Sequence, residues 1–142
     1  MTEVAFTVAG TPVAQGSLRS LGKGRPTIAG NRDQLVPWRN AVAAEAAMVM
    51  PPRPLTGPLE LDVTFVFGRP KAHYGSGRNH GVLKPSAPMF CDKRPDLDKL
   101  VRAIGDALTG VLVVDDAQFV ELHARKHYGA PAAHVVVRQA GS

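Results

Sequence analysis

Between Arg94 and Gln118 the chain reads Arg-Pro-Asp-Leu-Asp-Lys-Leu-Val-Arg-Ala-Ile-Gly-Asp-Ala-Leu-Thr-Gly-Val-Leu-Val-Val-Asp-Asp-Ala-Gln, and this segment restricts the fold more than any other. Leu97, Leu100, Val101, Ile104, Ala107 and Leu108 recur at spacings of three, four and seven, which places them on one face of a helix. Pro95 suits the helix start and Gly110 its end. A helix with one apolar face must lie against a second layer.

That layer is legible as strands. Val4, Phe6 and Val8 alternate with polar or small neighbours, and Leu59, Leu61, Val63, Phe65 and Phe67 alternate with Glu60, Asp62 and Thr64. Val111–Val114 is a short buried run that turns at Asp115-Asp116. Val120, Leu122 and Ala124 then alternate with Glu121, His123, Arg125 and Lys126 in a third strand, and 134–138 forms a fourth. A second helix is expected from Pro37, with Trp38, Val42, Ala46 and Val49 at helical spacing and Pro51-Pro52 beyond its end. The stripe around Trp38 reads as core. The expectation is an α+β single domain, residues 1–142, with a mixed β-sheet of about four strands and two main helices packed on it.

Two stretches lack periodicity. Residues 14–35 carry Arg19, Lys23, Arg25 and Arg32 among Gly and Ser and read as a long loop. Residues 69–94 carry Arg69, Lys71, Arg78, Lys84, Lys93 and Arg94 against the single acid Asp92, a basic loop that runs straight into the acidic motif. Loops of this length inside a compact domain are functional or disordered.

At 142 residues the chain suffices for one core and is short for two domains. No run approaches the roughly 18 apolar residues of a membrane span, and the start of the chain reads as a strand rather than a signal peptide. One cysteine, Cys91, excludes an internal disulfide and a cysteine-rich zinc site and agrees with a reducing cytoplasm. Seventeen basic residues against twelve acidic ones, net +5, favour polyanionic partners without identifying one.

Against that basic background, Asp96 and Asp98 fall in the first turn of the helix, and Asp115 and Asp116 follow it. Helix capping accounts for one such acid, and Lys93, Arg94 and Lys99 could neutralise the others on a solvated surface. The other reading is a metal centre. Oxygen-only ligation selects a hard cation, Mg²⁺ or Mn²⁺ rather than Zn²⁺. Arg102 lies four residues from both Asp98 and Asp106, so it reads either as a rung of a surface ion-pair ladder or as a phosphate contact beside the metal. There is no P-loop, no Gly-x-Ser-x-Gly and no His-Glu-x-x-His. His123 and His127 share a strand face, and His73, His80 and His134 have no ligand spacing.

Arg-Pro-Asp-Leu-Asp-Lys-Leu-x-Arg-x-x-x-Asp-Ala-Leu-Thr-Gly with Val-Asp-Asp-Ala-Gln-Phe-Val-Glu-Leu resembles the signature of the RusA family of Holliday junction resolvases, endonucleases often carried by phages and prophages. Phe-Thr-Val-Ala-Gly-Thr-Pro-Val-Ala-Gln-Gly near the start, and Arg-Pro-Lys-Ala-His-Tyr with Leu-Lys-Pro-Ser-Ala-Pro in the basic loop, extend the resemblance over most of the chain. It implies Mg²⁺-dependent cleavage of four-way DNA junctions in recombination and repair by a homodimer in the cytoplasm of a bacterial or phage-infected cell. Asp96, Asp98 and Asp116 would hold the metal, Asp115 would support them, and Arg102 would join the catalytic set. The chain has Lys99 where the family pattern has Asn and Arg102 where it has Lys. Arg69, Lys71, Arg78, Lys84, Lys93, Arg94 and Lys99 are the expected DNA contacts. A non-catalytic DNA-binding module on the same fold and a metal-dependent hydrolase of small phosphate esters are the alternatives; intact acids disfavour the first and long basic loops the second.

Overall fold

The computed structural model describes residues 2–16, 18–20, 22–24, 27–29 and 31–141, with 18–20 and 27–29 as backbone only. Alternation makes β1 (Glu3–Ala9) a half-buried strand with Val4, Phe6 and Val8 inward. After a short hairpin, β2 (Leu18–Ser20) and β3 (Thr27–Ala29), comes α1 (Arg32–Val49), then β4 (Leu59–Phe67), α2 (Leu97–Leu108), β5 (Phe119–Tyr128) and β6 (Ala132–Gln139).

The main sheet has the order β1-β6-β4-β5. β6 runs antiparallel to both β1 and β4, while β4 and β5 are parallel, so the sheet is mixed. Its inner face carries Leu59, Leu61, Val63 and Phe65 of β4 with Val135 and Val137 of β6. α2 covers that face with Leu100, Ala103, Ile104, Ala107 and Leu108, and α1 adds Leu35, Trp38, Val42 and Ala46. The α+β single-domain architecture expected from the sequence is the one observed.

The other sheet face is polar and internally paired. Arg138 pairs with Glu60 across the β4–β6 register and with Glu3 at 3.2 Å, and Arg125 Nη1 donates to Asp62 Oδ1 at 2.9 Å.

Four local expectations change. α1 begins at Arg32, not Pro37, because Leu35 extends the apolar stripe one turn earlier and anchors that turn in the core; Pro37 sits inside the helix and forgoes one backbone bond. Residues 14–35 hold the β2–β3 hairpin and the start of α1 rather than an unbroken loop; three-residue strands are too short to show a periodicity. Arg25 and the Arg19 side chain lie outside the described residues. Val114 is 62% exposed, at the end of the run expected to be buried. On β5, Val120 and Leu122 are 64% and 51% exposed. The register shifts between Leu59 and Glu60, whose partners are Phe119 and Glu121, so Val120 falls in the irregularity. β5 is also the sheet edge, and there the helical layer leaves a cleft beside Leu122.

Candidate active site

Asp96 is the N-cap residue of α2, with φ −70° and ψ 137°, yet its side chain makes no capping hydrogen bond. Its carboxylate instead faces Lys99 Nζ at 3.7 Å. Asp98 stands exposed in the first turn and, among the described residues, has no ion pair or side-chain hydrogen bond. The helix dipole and the free N–H groups of this turn favour negative charge here.

The chain before Asp96 is held by a residue outside the expected set. Lys126 stands opposite Phe65 in the β4–β5 register and therefore on the helix side of the sheet. Its ammonium donates to Lys93 O at 2.5 Å and to Pro95 O at 2.9 Å. The signal was present in the sequence: two residues after Ala124, a lysine occupies the phase reserved for apolar side chains.

Asp115 is the cap that Asp96 is not. Its Oδ1 accepts the backbone N–H of Ala117 at 2.9 Å, and Gln118 Oε1 accepts the N–H of Asp115 at 3.0 Å, a reciprocal capping box on the single 3₁₀ turn Asp116–Gln118. Gln118 Oε1 also accepts from Val114 N at 2.9 Å, while its Nε2 donates to Leu55 O and Gly57 O at 3.1 and 3.0 Å. This one side chain ties the acid turn to the segment before β4, a role that the Asp-Asp-x-Gln spacing alone did not disclose.

Asp116 is left with its carboxylate toward α2. A Cβ on Gly105 would lie 3.6 Å from both Cβ and Oδ2 of Asp116, ordinary van der Waals contact, which places the acid directly against this turn of the helix. Burial, then hydrogen bonding and charge from Asp115, then the charge of Asp106, raise the Asp116 pKa from its ordinary value. Asp106, which the sequence shows only as a neighbour of Arg102, belongs to this acid cluster. A bound cation would relieve the like charge gathered around Asp116.

Two depressions divide the expected residues. Asp96, Arg94 and Lys99 line one with Gln15, Gly16 and Asn31, and Gln15 Oε1 and Asn31 Oδ1 are buried there without a partner among the described residues. Arg102 and Asp116 line the cleft at the β5 edge with Leu61, Val101, Gly105, Phe119 and Leu122. Arg102 is exposed and makes no ion pair among the described residues, so the ladder with Asp98 and Asp106 is not formed. Asp96, Asp98 and Asp116 do not close into one tight group. Among the described residues, the group with three ligand atoms within 4.8 Å of one another is Glu60, Glu121 and His123, on the polar face. There His123 Nε2 lies 3.3 Å from Glu60 and 3.4 Å from Glu121, and Glu60 is already paired with Arg138.

Of the expected DNA contacts, Lys71, Arg78, Lys84, Lys93 and Arg94 are exposed. Lys71 and Arg78 sit on short 3₁₀ turns, and the loop is ordered by backbone bonds from Gly75 N to Val82 O and from Lys84 N to His73 O, both 2.9 Å. Arg69 is engaged internally: its Nη1 donates to Pro88 O at 2.6 Å and its guanidinium lies 4.5 Å from the Tyr128 ring centroid.

A mixed sheet with one helical layer, carboxylates at a helix start and in the adjoining turn, and a cationic loop leading into them define an α+β domain suited to phosphodiester chemistry. The chain belongs to the RusA endodeoxyribonuclease family: the family described as Endodeoxyribonuclease RusA matches residues 9–138. Membership indicates endodeoxyribonuclease activity. The chain is also 32% identical over 145 residues to the Uncharacterized protein YqaN of Bacillus subtilis (strain 168), covering 96% of each chain. No helix among the described residues is long and apolar enough to cross a membrane.

Proposed function

We propose that the protein is a Mg²⁺-dependent, structure-specific endonuclease that cuts four-way junctions and related branched DNA in recombination and repair, acting as a homodimer in the cytoplasm. The observation that carries the catalytic reading is the division of labour among the acids. Asp115 takes the capping role, while among the described residues the carboxylates of Asp96, Asp98 and Asp116 make no capping bond.

Asp96, Asp98 and Asp116 would hold Mg²⁺, with Mn²⁺ as a substitute. When bound, the metal supplies Lewis-acid activation of water and charge neutralisation at the scissile phosphate. Asp98 is exposed and has no side-chain hydrogen bond among the described residues, so its side chain is free to turn toward a cation. Arg102, in the same cleft as Asp116 and without an ion-pair partner among the described residues, contacts the phosphate and the charge that develops on it. Lys71, Arg78, Lys84, Lys93, Arg94 and Lys99 hold the DNA backbone. Arg69 acts as a strut beneath that surface. A four-way junction has approximate two-fold symmetry, which a C₂ dimer with two separated sites matches.

The test offers purified protein a synthetic four-way junction, a linear duplex of the same sequence and a small phosphoester, with Mg²⁺ or with chelator. Paired, ligatable nicks in the junction that need Mg²⁺ are expected. Binding without cleavage would replace the reading by a DNA-binding module, and turnover of the phosphoester alone by a small-molecule hydrolase.

A further inference from the structure

The segment 88–91 is fixed at both ends and displays its middle. Arg69 holds Pro88 O at 2.6 Å from above the Tyr128 ring, and His73 meets the same ring edge-on with centroids 5.3 Å apart. On the other side Cys91 is buried, 8% exposed, beside the Tyr128 phenol, whose pKa is raised by burial and then by this thiol. Between these anchors Met89 and Phe90 are 77% and 75% exposed. A lone exposed apolar residue needs no explanation. Two large ones in succession on an anchored turn, between Lys84 and Lys93-Arg94 and six residues before Asp96, do.

The surroundings name the occupant. A cationic loop attracts a polyanion through its phosphates and leaves apolar tips with no work against them, while bases offer apolar faces between those phosphates. Side chains such as Phe and Met insert between base steps, and in linear duplex this requires unstacking them. At an open branch point the terminal base pairs of the arms are exposed, so an inserted ring gains base stacking at a lower cost. We propose that Phe90, with Met89 beside it, enters the branch point of DNA and stacks on its bases, making this turn the element that prefers branched over linear substrate. The inference rests on reading the protein as an enzyme of branched DNA. Arg69 and Tyr128 are then positioning residues, which hold the wedge at a set distance from Asp96.

The experiment uses the full chain in chelator, so that no cutting occurs, with 2-aminopurine at the branch point of a four-way junction or at the matching position of a linear duplex. Wild-type protein is expected to raise the junction fluorescence and not that of the duplex. Phe90→Ala, whose fold is checked by thermal melting, is expected to abolish the rise and to weaken junction binding about ten-fold, with a smaller effect on duplex. Phe90→Trp is expected to restore both. A wild-type complex without the fluorescence rise, or a Met89→Ala/Phe90→Ala variant with unchanged junction preference, overturns the wedge and leaves the nuclease reading to its cleavage assay. A fluorescence rise in a protein that never cuts with Mg²⁺ supports the wedge and removes the nuclease reading instead.

Discussion

Lys126 Nζ reaches the carbonyl oxygen of Pro95 at 2.9 Å, linking the β5 edge strand to the residue that precedes the Asp-x-Asp helix start. With its second bond, to Lys93 O, this ammonium fixes the entry of the chain into the site. Lys126→Met keeps the unbranched stem, one atom shorter, and removes both bonds. It is expected to lower stability by about 1 to 3 kcal/mol and to reduce kcat more than junction affinity. Urea unfolding and single-turnover cleavage measure the two effects; unchanged cleavage would show that Asp96 is positioned by other contacts.

The raised pKa of Asp116 has a defined sign. Its folded value lies above the unfolded one, so between the two the folded state binds more protons and stability falls as pH rises through that interval. Asp116→Asn is therefore expected to melt higher than wild type in chelator at neutral pH. The difference should close below the ordinary carboxylate range. Added Mg²⁺ should raise the melting temperature of wild type and not of the variant. A variant less stable than wild type at neutral pH would contradict this electrostatic picture.

Asp115→Asn separates capping from charge, since Asn caps about as well as Asp. With the turn kept and one like charge removed, the acidic limb of the cleavage profile is expected to move to lower pH. Asp115→Ala, which loses the bond to Ala117 N, should destabilise by about 1 kcal/mol. A pH profile of Asp115→Asn identical to wild type would remove Asp115 as a source of the Asp116 shift.

Gln118 stitches the acid turn through bonds to Val114, Asp115, Leu55 and Gly57. Gln118→Ala is expected to cost about 2 kcal/mol or more and to depress cleavage by displacing Asp116. Gln118→Glu keeps the acceptor and loses the donors, so it should fall between. Equal stability of Gln118→Ala and wild type by chemical unfolding would show that solvent replaces these bonds.

Arg69 and Lys84 are both cations of the 69–94 loop, and salt dependence distinguishes them. Removing a phosphate contact should reduce the slope of log affinity against log salt by about 1. Lys84→Gln is expected to do so; Arg69→Gln is expected to leave the slope and lower stability, because its guanidinium serves Pro88 and Tyr128. A slope reduced by Arg69→Gln with stability unchanged would make it a DNA contact.

β4 and α2 were legible because their apolar residues follow one period over nine and twelve residues and face one layer each. The acid motif was legible for the same local reason. Three features depended on tertiary context. Leu35 draws the start of α1 past a proline whose local preference points to a later start. Leu122 alternates like a core residue, but its strand is the sheet edge, where the helix layer gives way to a cleft. Lys126 and Gln118 act through backbone carbonyls distant in sequence, and no pattern of side-chain types records where those carbonyls lie.

The decisive measurement is the single-turnover cleavage rate of a four-way junction at saturating protein with Mg²⁺, for wild type and for Asp96→Asn, Asp98→Asn and Asp116→Asn, with junction binding measured in parallel. The expected result is that wild type cuts, and that each substitution lowers the rate at least 100-fold, a loss on the scale of removing one charge-stabilising group, while binding is retained or strengthened. Cleavage by any of the three at the wild-type rate would contradict the assignment of that aspartate, and cleavage by all three would place the catalytic centre elsewhere.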